Sequence, residues 1–276
     1  MNTTFFSICI PVYNGERFLQ ETIQSVLNQD FSDFELLIVD NASTDGTRDI
    51  ISSFHDQRIK VIRNEINVPA WENWSIAVTA AKGHWTKLLC ADDLLHPDAL
   101  SKSAQAIANY PDAKVIAGCR NVIDQHGHQV ISSQSKKIKS KKLDQFAIVR
   151  QTLRRGTNPI GEPLCLIWKS DLTYRTGNFS SKWKYFIDLD YWIRLSQIAP
   201  IIRISEELGS FRISSESWTS SIGLKAIGEA RDFFLHHDAF RTISYHKRLL
   251  GLLVACNKAV LRKAFLLLSF KKFKEN

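Results

Sequence analysis

Three apolar runs in this chain end abruptly in side chains that can do chemistry. LLCA at residues 88–91 runs into two adjacent carboxylates, Asp92 and Asp93, before LLHPDAL. Like charges that close repel, and each raises the other's pKa unless a cation or strong donors offset them. The pair is therefore either a solvated turn or a site for a metal. FFSICIPV is followed by Tyr13-Asn14, and FELLIV by Asp40-Asn41. An acid that ends a strand in this way is placed to hold a ribose.

Position along the chain says what must hold these groups. Residues 5–11, 34–40, 59–63, 85–91 and 114–119 are short apolar runs that read as strands. Between them, residues 16–28 carry Phe18, Leu19, Ile23, Val26 and Leu27 at helical spacing. Ser43 or Thr44 is placed to cap a second helix that runs to Phe54. Residues 68–81 form a third helix that Gly83 ends, and Pro97 suits the first position of a fourth. Alternating strands and helices with near-continuous apolar strands predict an α/β fold, with a mostly parallel sheet covered on both faces. Such sheets bind ligands at the carboxyl ends of their strands, where the three polar pairs fall.

The second half is less regular. Residues 121–131 read as a hairpin turning at His126-Gly127-His128, and SSQSKKIKSKK at 132–142 as a basic loop. A helix over 144–154, a strand over 164–168, a helix over 188–197 and a strand over 209–212 follow. From Ser221 the pattern is helical to the end.

Composition bounds the function. The 276 residues are 44% hydrophobic and 23% charged, which gives a sizeable core. A formal charge of +8 favours anionic partners. Its basic residues gather in the 132–142 loop and the tail rather than on a reading helix, so no nucleic-acid partner is expected. The five cysteines are scattered and never form a CxxC pair, which fits neither a disulfide framework nor a zinc site and suggests a reducing cytosol. No signal peptide is expected, and no apolar run approaches the ~20 residues of a membrane span. The first turn, PVYNGERF, has one glycine, so it is neither a dinucleotide-binding nor a P-loop fingerprint. It is also a poor version of the Gly-rich basic loop that a sugar-phosphate nucleotidylyltransferase needs.

Five segments in order, ICIPVYNGERFL (8–19), LLIVDNASTDGT (36–47), NVPAWENWSIAV (67–78), LLCADDLLHPDAL (88–100) and GNFSSKWKYFIDLDYWIRL (177–195), resemble the inverting family 2 glycosyltransferases with the GT-A fold. The resemblance spans about residues 5–215. It implies a GT-A domain over 1–215, with a nucleotide-sugar half at 1–120 and an acceptor half at 121–215, and a helical, basic region at 216–276. Pro11, Tyr13 and Glu16 would cup the base and ribose of a nucleotide-diphosphate sugar, with UDP the expected nucleotide. Asp40 would hydrogen-bond the base. Asp92 and Asp93 would hold Mn²⁺ or Mg²⁺, Asp93 on the metal and Asp92 near the ribose or metal. The family often has Asp where this chain has Cys90, and a thiol is a poor ligand for hard cations. Asp188 aligns with the general base that takes the acceptor's proton, although Ile187 replaces the usual Glu before it. Asp190 is the alternative base. NPIGEP at 158–163 resembles the loop beneath the acceptor, with Glu162 as a contact. Arg212-Ile213-Ser214 lacks the His of a frequent Arg-x-His. The eight His residues read as surface or turn positions.

The implied enzyme moves sugar, with inversion, onto a glycan or lipid-linked glycan in surface-polysaccharide synthesis in the cytoplasm. Cys90 and Ile187 also fit a catalytically weak relative that binds nucleotide or glycan as an assembly partner. In the tail, Arg241, Lys247, Arg248, Lys258, Arg262 and Lys263 alternate with leucine-rich stretches. That pattern fits either an amphipathic region at the anionic inner face of the membrane or helices packed on the catalytic domain.

Overall fold

The computed structural model describes residues 4–132, 141–214 and 225–272, with the backbone alone at Lys225 and beyond Leu261. Most of the basic loop at 132–142 and the side chains at the end of the tail lie outside the described residues.

One sheet of ten strands runs through the molecule. Its first half follows the sequence rhythm. Strands β1 (Phe6–Val12), β2 (Phe34–Asp40), β3 (Ile59–Arg63) and β4 (Trp85–Leu88) are parallel, in the order β3-β2-β1-β4. Every residue of β1 and β2 is buried, because helices cover both faces. Two polar residues inside this layer satisfy one another. Ser7 Oγ donates to Glu35 Oε1, and Lys60 closes on the other carboxylate oxygen at 2.6 Å. Helices α1 (Leu19–Leu27), α2 (Thr47–Ser53), α3 (Ala70–Thr79) and α4 (Ala99–Asn109) carry the chain between strands.

The parallel order gives way in the second half. Strands β6 (Val115–Ile123) and β10 (Ile201–Arg212) are parallel to each other. Between β4 and β6 lies β9 (Leu166–Lys169), antiparallel to both. Short antiparallel strands complete the sheet: β5 (Leu94–Leu95) and β8 (Lys141–Leu143) on β10, and β7 (Gln129–Ile131) on β6. The last long strand is twelve residues, not the four expected. Its first part carries Arg203, Glu206 and Glu207 and has two register shifts against β6, which erase the strand pattern in the sequence.

Two start signals also differ. Helix α4 begins at Ala99, after Asp98, rather than at Pro97. Neither Ser43 nor Thr44 caps α2. Asp45 Oδ1 accepts from Thr47 N instead, while Ser43 and Thr44 bind the loop after β1.

Helices α5 (Gln145–Arg155), α6 (Asp171–Thr176), α7 (Ile187–Ile198), α8 (Lys225–His236) and α9 (Tyr245–Lys272) surround the second half. Tyr191 and Trp192 of α7 are fully buried against Trp168 of β9. Helix α8 orients α7: Glu229 accepts the backbone N–H groups of Lys184, Tyr185 and Phe186, just ahead of α7's first turn. Asp144 caps α5 by accepting from Ala147 N. At the other end Gly156 takes a left-handed conformation, φ 62°, and a Cβ there would meet the backbone of Ala255 in α9 at 2.5 Å. Glycine is required twice at this position, by φ and by contact. Gly156→Ala is expected to cost about 2 kcal/mol or more in urea unfolding, since neither backbone can move without separating α5 from α9.

Candidate active site

The loops after β1 and β2 are built as one unit. Asn14 and Ala42 both have positive φ, 50° and 55°, and cross-loop bonds hold the residues around them. Asn14 N donates to Ser43 Oγ, Gly15 N to Thr47 Oγ1, and Glu16 N to Asp45 Oδ2. In return Glu16 Oε2 accepts from Gly46 N. Four of the five residues expected to contact a nucleotide, Pro11, Tyr13, Glu16 and Asp40, therefore lie at the ends of β1 and β2, and Asp92 follows the neighbouring β4. Their states differ. Tyr13 is half-exposed and open to a ligand, whereas Pro11 is buried within β1. Glu16 is engaged in joining the loops. Asp40 is buried, with Oδ1 accepting from Ser43 N and Oδ2 paired to Arg63 at 2.8 Å.

The acid pair sits at the neighbouring strand end. A sulfur of Cys90 and carboxylate oxygens of Asp92 and Asp93 all lie within 4.8 Å of one another. Asp93 is fully buried, and one oxygen accepts from Arg212 N while Oδ2 has no hydrogen-bond partner. Burial and the charge of Asp92 push Asp93 well above the ordinary carboxylate range. Burial also raises Asp92. An orphaned buried carboxylate oxygen beside a second acid fits a divalent cation better than a solvated turn.

Arg212, at the end of β10, secures this turn. It is 1% exposed. Nε donates to the carbonyl of Asp92 at 2.8 Å, Nη2 pairs with Glu21 of α1 at 2.6 Å, and the guanidinium stacks 4.6 Å from the Phe18 ring centroid.

Asp188, in the first turn of α7, faces the same cleft. Asn158 Nδ2 donates to it at 2.8 Å, as does the Leu189 backbone N–H. Burial first, and then the negative charge of Glu162, push its pKa up to about 7. Glu162 is held by both Nε and Nη2 of Arg120, at 2.6 and 2.7 Å. Burial and then the charges of Asp93, Asp92, Asp188 and Glu162 push the Cys90 thiol well above its usual range. Asp190 is turned away. Arg194 and His237 hold its carboxylate at 2.8 and 3.1 Å, and although burial raises it, those bonds keep it below the ordinary value. His237 is therefore a buried partner of Asp190 and not a surface residue.

Arg120, Asn158 and Lys87 were missed in the sequence. Arg120 left a faint signal, a lone cation in the apolar run VIAGCRNVI. Lys87 is wholly buried in β4, and its amine donates to the carbonyls of Leu164 and Leu166, which carry the loop that holds Glu162. Desolvation lowers its pKa to about 8.

An α/β sheet with joined loops after β1 and β2, paired acids after β4 and a buried acid in the same cleft is the arrangement of a GT-A glycosyltransferase. Residues 7–165 match the profile described as Glycosyl transferase family 2, more than half of the chain, and the chain belongs to that family. It is 26% identical over 232 residues to the glycosyltransferase RP339 of Rickettsia prowazekii, a match covering 83% of this chain and 70% of that one. To TuaG of Bacillus subtilis, named for teichuronic acid biosynthesis, it is 37% identical over 101 residues, which is 36% of this chain and 40% of TuaG. Among solved structures, S. aureus TarS 1–349 in complex with UDP-GlcNAc superimposes with a TM-score of 0.66 at 20% identity, over 92% of this chain and 72% of that one. A mannosyltransferase from Pyrobaculum calidifontis, in complex with GDP-Man and Mn²⁺, gives a TM-score of 0.59 at 16% identity, over 100% of this chain and 82% of that one.

Two outcomes follow. Asp188 has a folded pKa of about 7 against an ordinary 3.8, so its contribution to stability is lost as pH rises through about 7. Asp188→Asn should therefore be more stable than wild type at about pH 8 and little different at about pH 4, read by denaturant unfolding at each pH. Arg212→Met removes charged hydrogen bonds but leaves Glu21 able to reach water, so a loss of about 2 kcal/mol is expected by thermal unfolding.

Proposed function

We propose that this glycosyltransferase inverts, depends on a divalent cation, and transfers sugar from a UDP-sugar to a hydroxyl of a glycan or lipid-linked glycan. The observation that carries the reading is Asp188: a buried carboxyl poised near neutrality, in one cleft with the Asp92-Asp93 pair. Residues 1–120 hold the donor, 121–215 the acceptor, and 216–276 form a helical appendage. Cytoplasmic surface-polysaccharide assembly is the setting that the TuaG match supports.

In this reading Tyr13 and Asp40 receive the base, with Pro11 and Glu16 shaping their loop, and Asp92 faces the ribose. Asp93 and Asp92 hold Mn²⁺ or Mg²⁺, and the orphaned Asp93 Oδ2 supports that fit. When bound, the cation neutralises charge on the departing diphosphate. Asp188 takes the proton of the acceptor hydroxyl as its oxygen bonds to the anomeric carbon. The bond from that carbon to the diphosphate oxygen breaks, and its electron pair leaves with the nucleoside diphosphate. Attack opposite the leaving group inverts the centre. Asn158 holds the Asp188 carboxylate in place, and the charge of Glu162 favours protonation once the proton has arrived. Arg120 fixes Glu162 for that role and for contact with the acceptor. Cys90 in place of an acid favours a second reading, a weakly active relative that binds nucleotide.

Donor hydrolysis tests this. A panel of UDP-, GDP- and dTDP-sugars is incubated with Mn²⁺, Mg²⁺ or EDTA. Metal-dependent release of one nucleotide is expected, reduced about 100-fold or more in Asp93→Asn, with transfer to acceptor reduced similarly in Asp188→Asn. Nucleotide binding by calorimetry without turnover on any donor or acceptor would select the second reading.

A further inference from the structure

A second concave surface lies between α5, β8 and α9, a groove of about 1210 Å³. Six cations line it: Lys141, Arg150, Arg154, Arg155, Arg203 and Lys247. Among the described residues no carboxylate lines it. The charges press on one another. Burial and then the neighbouring Arg203 and Arg154 lower the Arg155 pKa, and burial and then Arg155 lower that of Lys258. A groove of this kind is completed by phosphate groups from elsewhere.

Helix α9 has two apolar faces. Gly251 and Ala255 are buried, and a Cβ on Gly251 would strike Leu153 of α5 at 2.6 Å. The other face is exposed. Leu250, Leu253, Val254, Val260 and Leu261 are 61, 64, 36, 54 and 61% accessible, and their spacing puts them on one stripe beside the groove. A hydrated polyanion would satisfy the cations and leave this stripe wet. A bilayer supplies both phases at the right depths, phosphates for the groove and acyl chains for the leucines.

We propose that the α5–β8–α9 groove and the exposed stripe of α9 dock the protein on an anionic phospholipid bilayer, with α9 lying in the interface. The proposal is independent of the catalytic reading. Arg203 of the groove donates to the carbonyl of Pro159, so the groove adjoins the loop that carries Asn158 and Glu162.

Vesicle co-sedimentation of the full chain tests it, with phosphatidylcholine alone and phosphatidylcholine–phosphatidylglycerol mixtures. Binding to the mixed vesicles only is expected. Each surface cation near an anionic bilayer contributes about fivefold in affinity, so Arg150→Glu with Arg154→Glu should weaken binding at least 20-fold. Leu250→Ser with Leu253→Ser should weaken it at least 10-fold. All four positions are surface residues or partly so, and unchanged circular dichroism and donor hydrolysis confirm an intact fold. Equal binding to both vesicle types, no binding to either, or binding unmoved by either double variant overturns the proposal. Inorganic phosphate that binds the groove in calorimetry and abolishes vesicle binding at millimolar concentration assigns it to a soluble phosphate compound and overturns it too.

Discussion

One side chain joins the parts of the cleft. Arg212 ends β10, reaches α1 through Glu21, the β4–β5 turn through Asp92, and the hairpin after β6 through the Gln125 carbonyl. It lies almost without solvent contact, where a lone guanidinium is costly. Its charge is offset by Glu21 and by the neighbouring acid pair. The acid pair in turn is tolerable because Arg212 donates to its backbone and its own N–H caps Asp93. Each group lowers the cost of burying the other. The two halves of the sheet are thus held together by the chemistry they enclose.

The cleft gathers four acids whose charges all raise the Cys90 thiol: Asp92, Asp93, Asp188 and Glu162. Two guanidiniums offset part of that charge, Arg120 at Glu162 and Asp93, and Arg212 at Asp92. Such a field favours cations, while burial first and the charge of Glu162 second bring Asp188 to near-neutral strength. Lys87 supports the loop that carries Glu162 from within β4, its amine donating to two carbonyls.

Much of this was legible in the sequence. The parallel half reads directly, because strands buried on both faces are continuous apolar runs, and the polar residues that end them are conspicuous. Asp92-Asp93 stands out at the end of an apolar run, and Asp188 falls in a segment that resembles the family, so each could be named as a candidate. Arg120, Asn158 and Lys87 were not, since each matters through partners 42, 30 and 77 residues away. The caps misread for the same reason: Ser43 and Thr44 are good capping residues, and the loop from β1 uses them first. The long strand β10 hides behind charged residues and register shifts that only its neighbour β6 explains.

The antiparallel strand β9 has a consequence for how the chain is made. It sits between β4 and β6, yet comes more than seventy residues after β4 in the chain. Strands β1, β2 and β3 pair through single helical crossovers, and β4, though far from β1 in sequence, is complete by Leu88, so this half can assemble early as the chain leaves the ribosome. Until residues 166–169 emerge, the outer edge of β4 presents unpaired amide and carbonyl groups of a buried strand. The nascent protein therefore passes through a stage with an open, apolar sheet edge. That interval, rather than the finished enzyme, is where this fold is most exposed to intermolecular pairing.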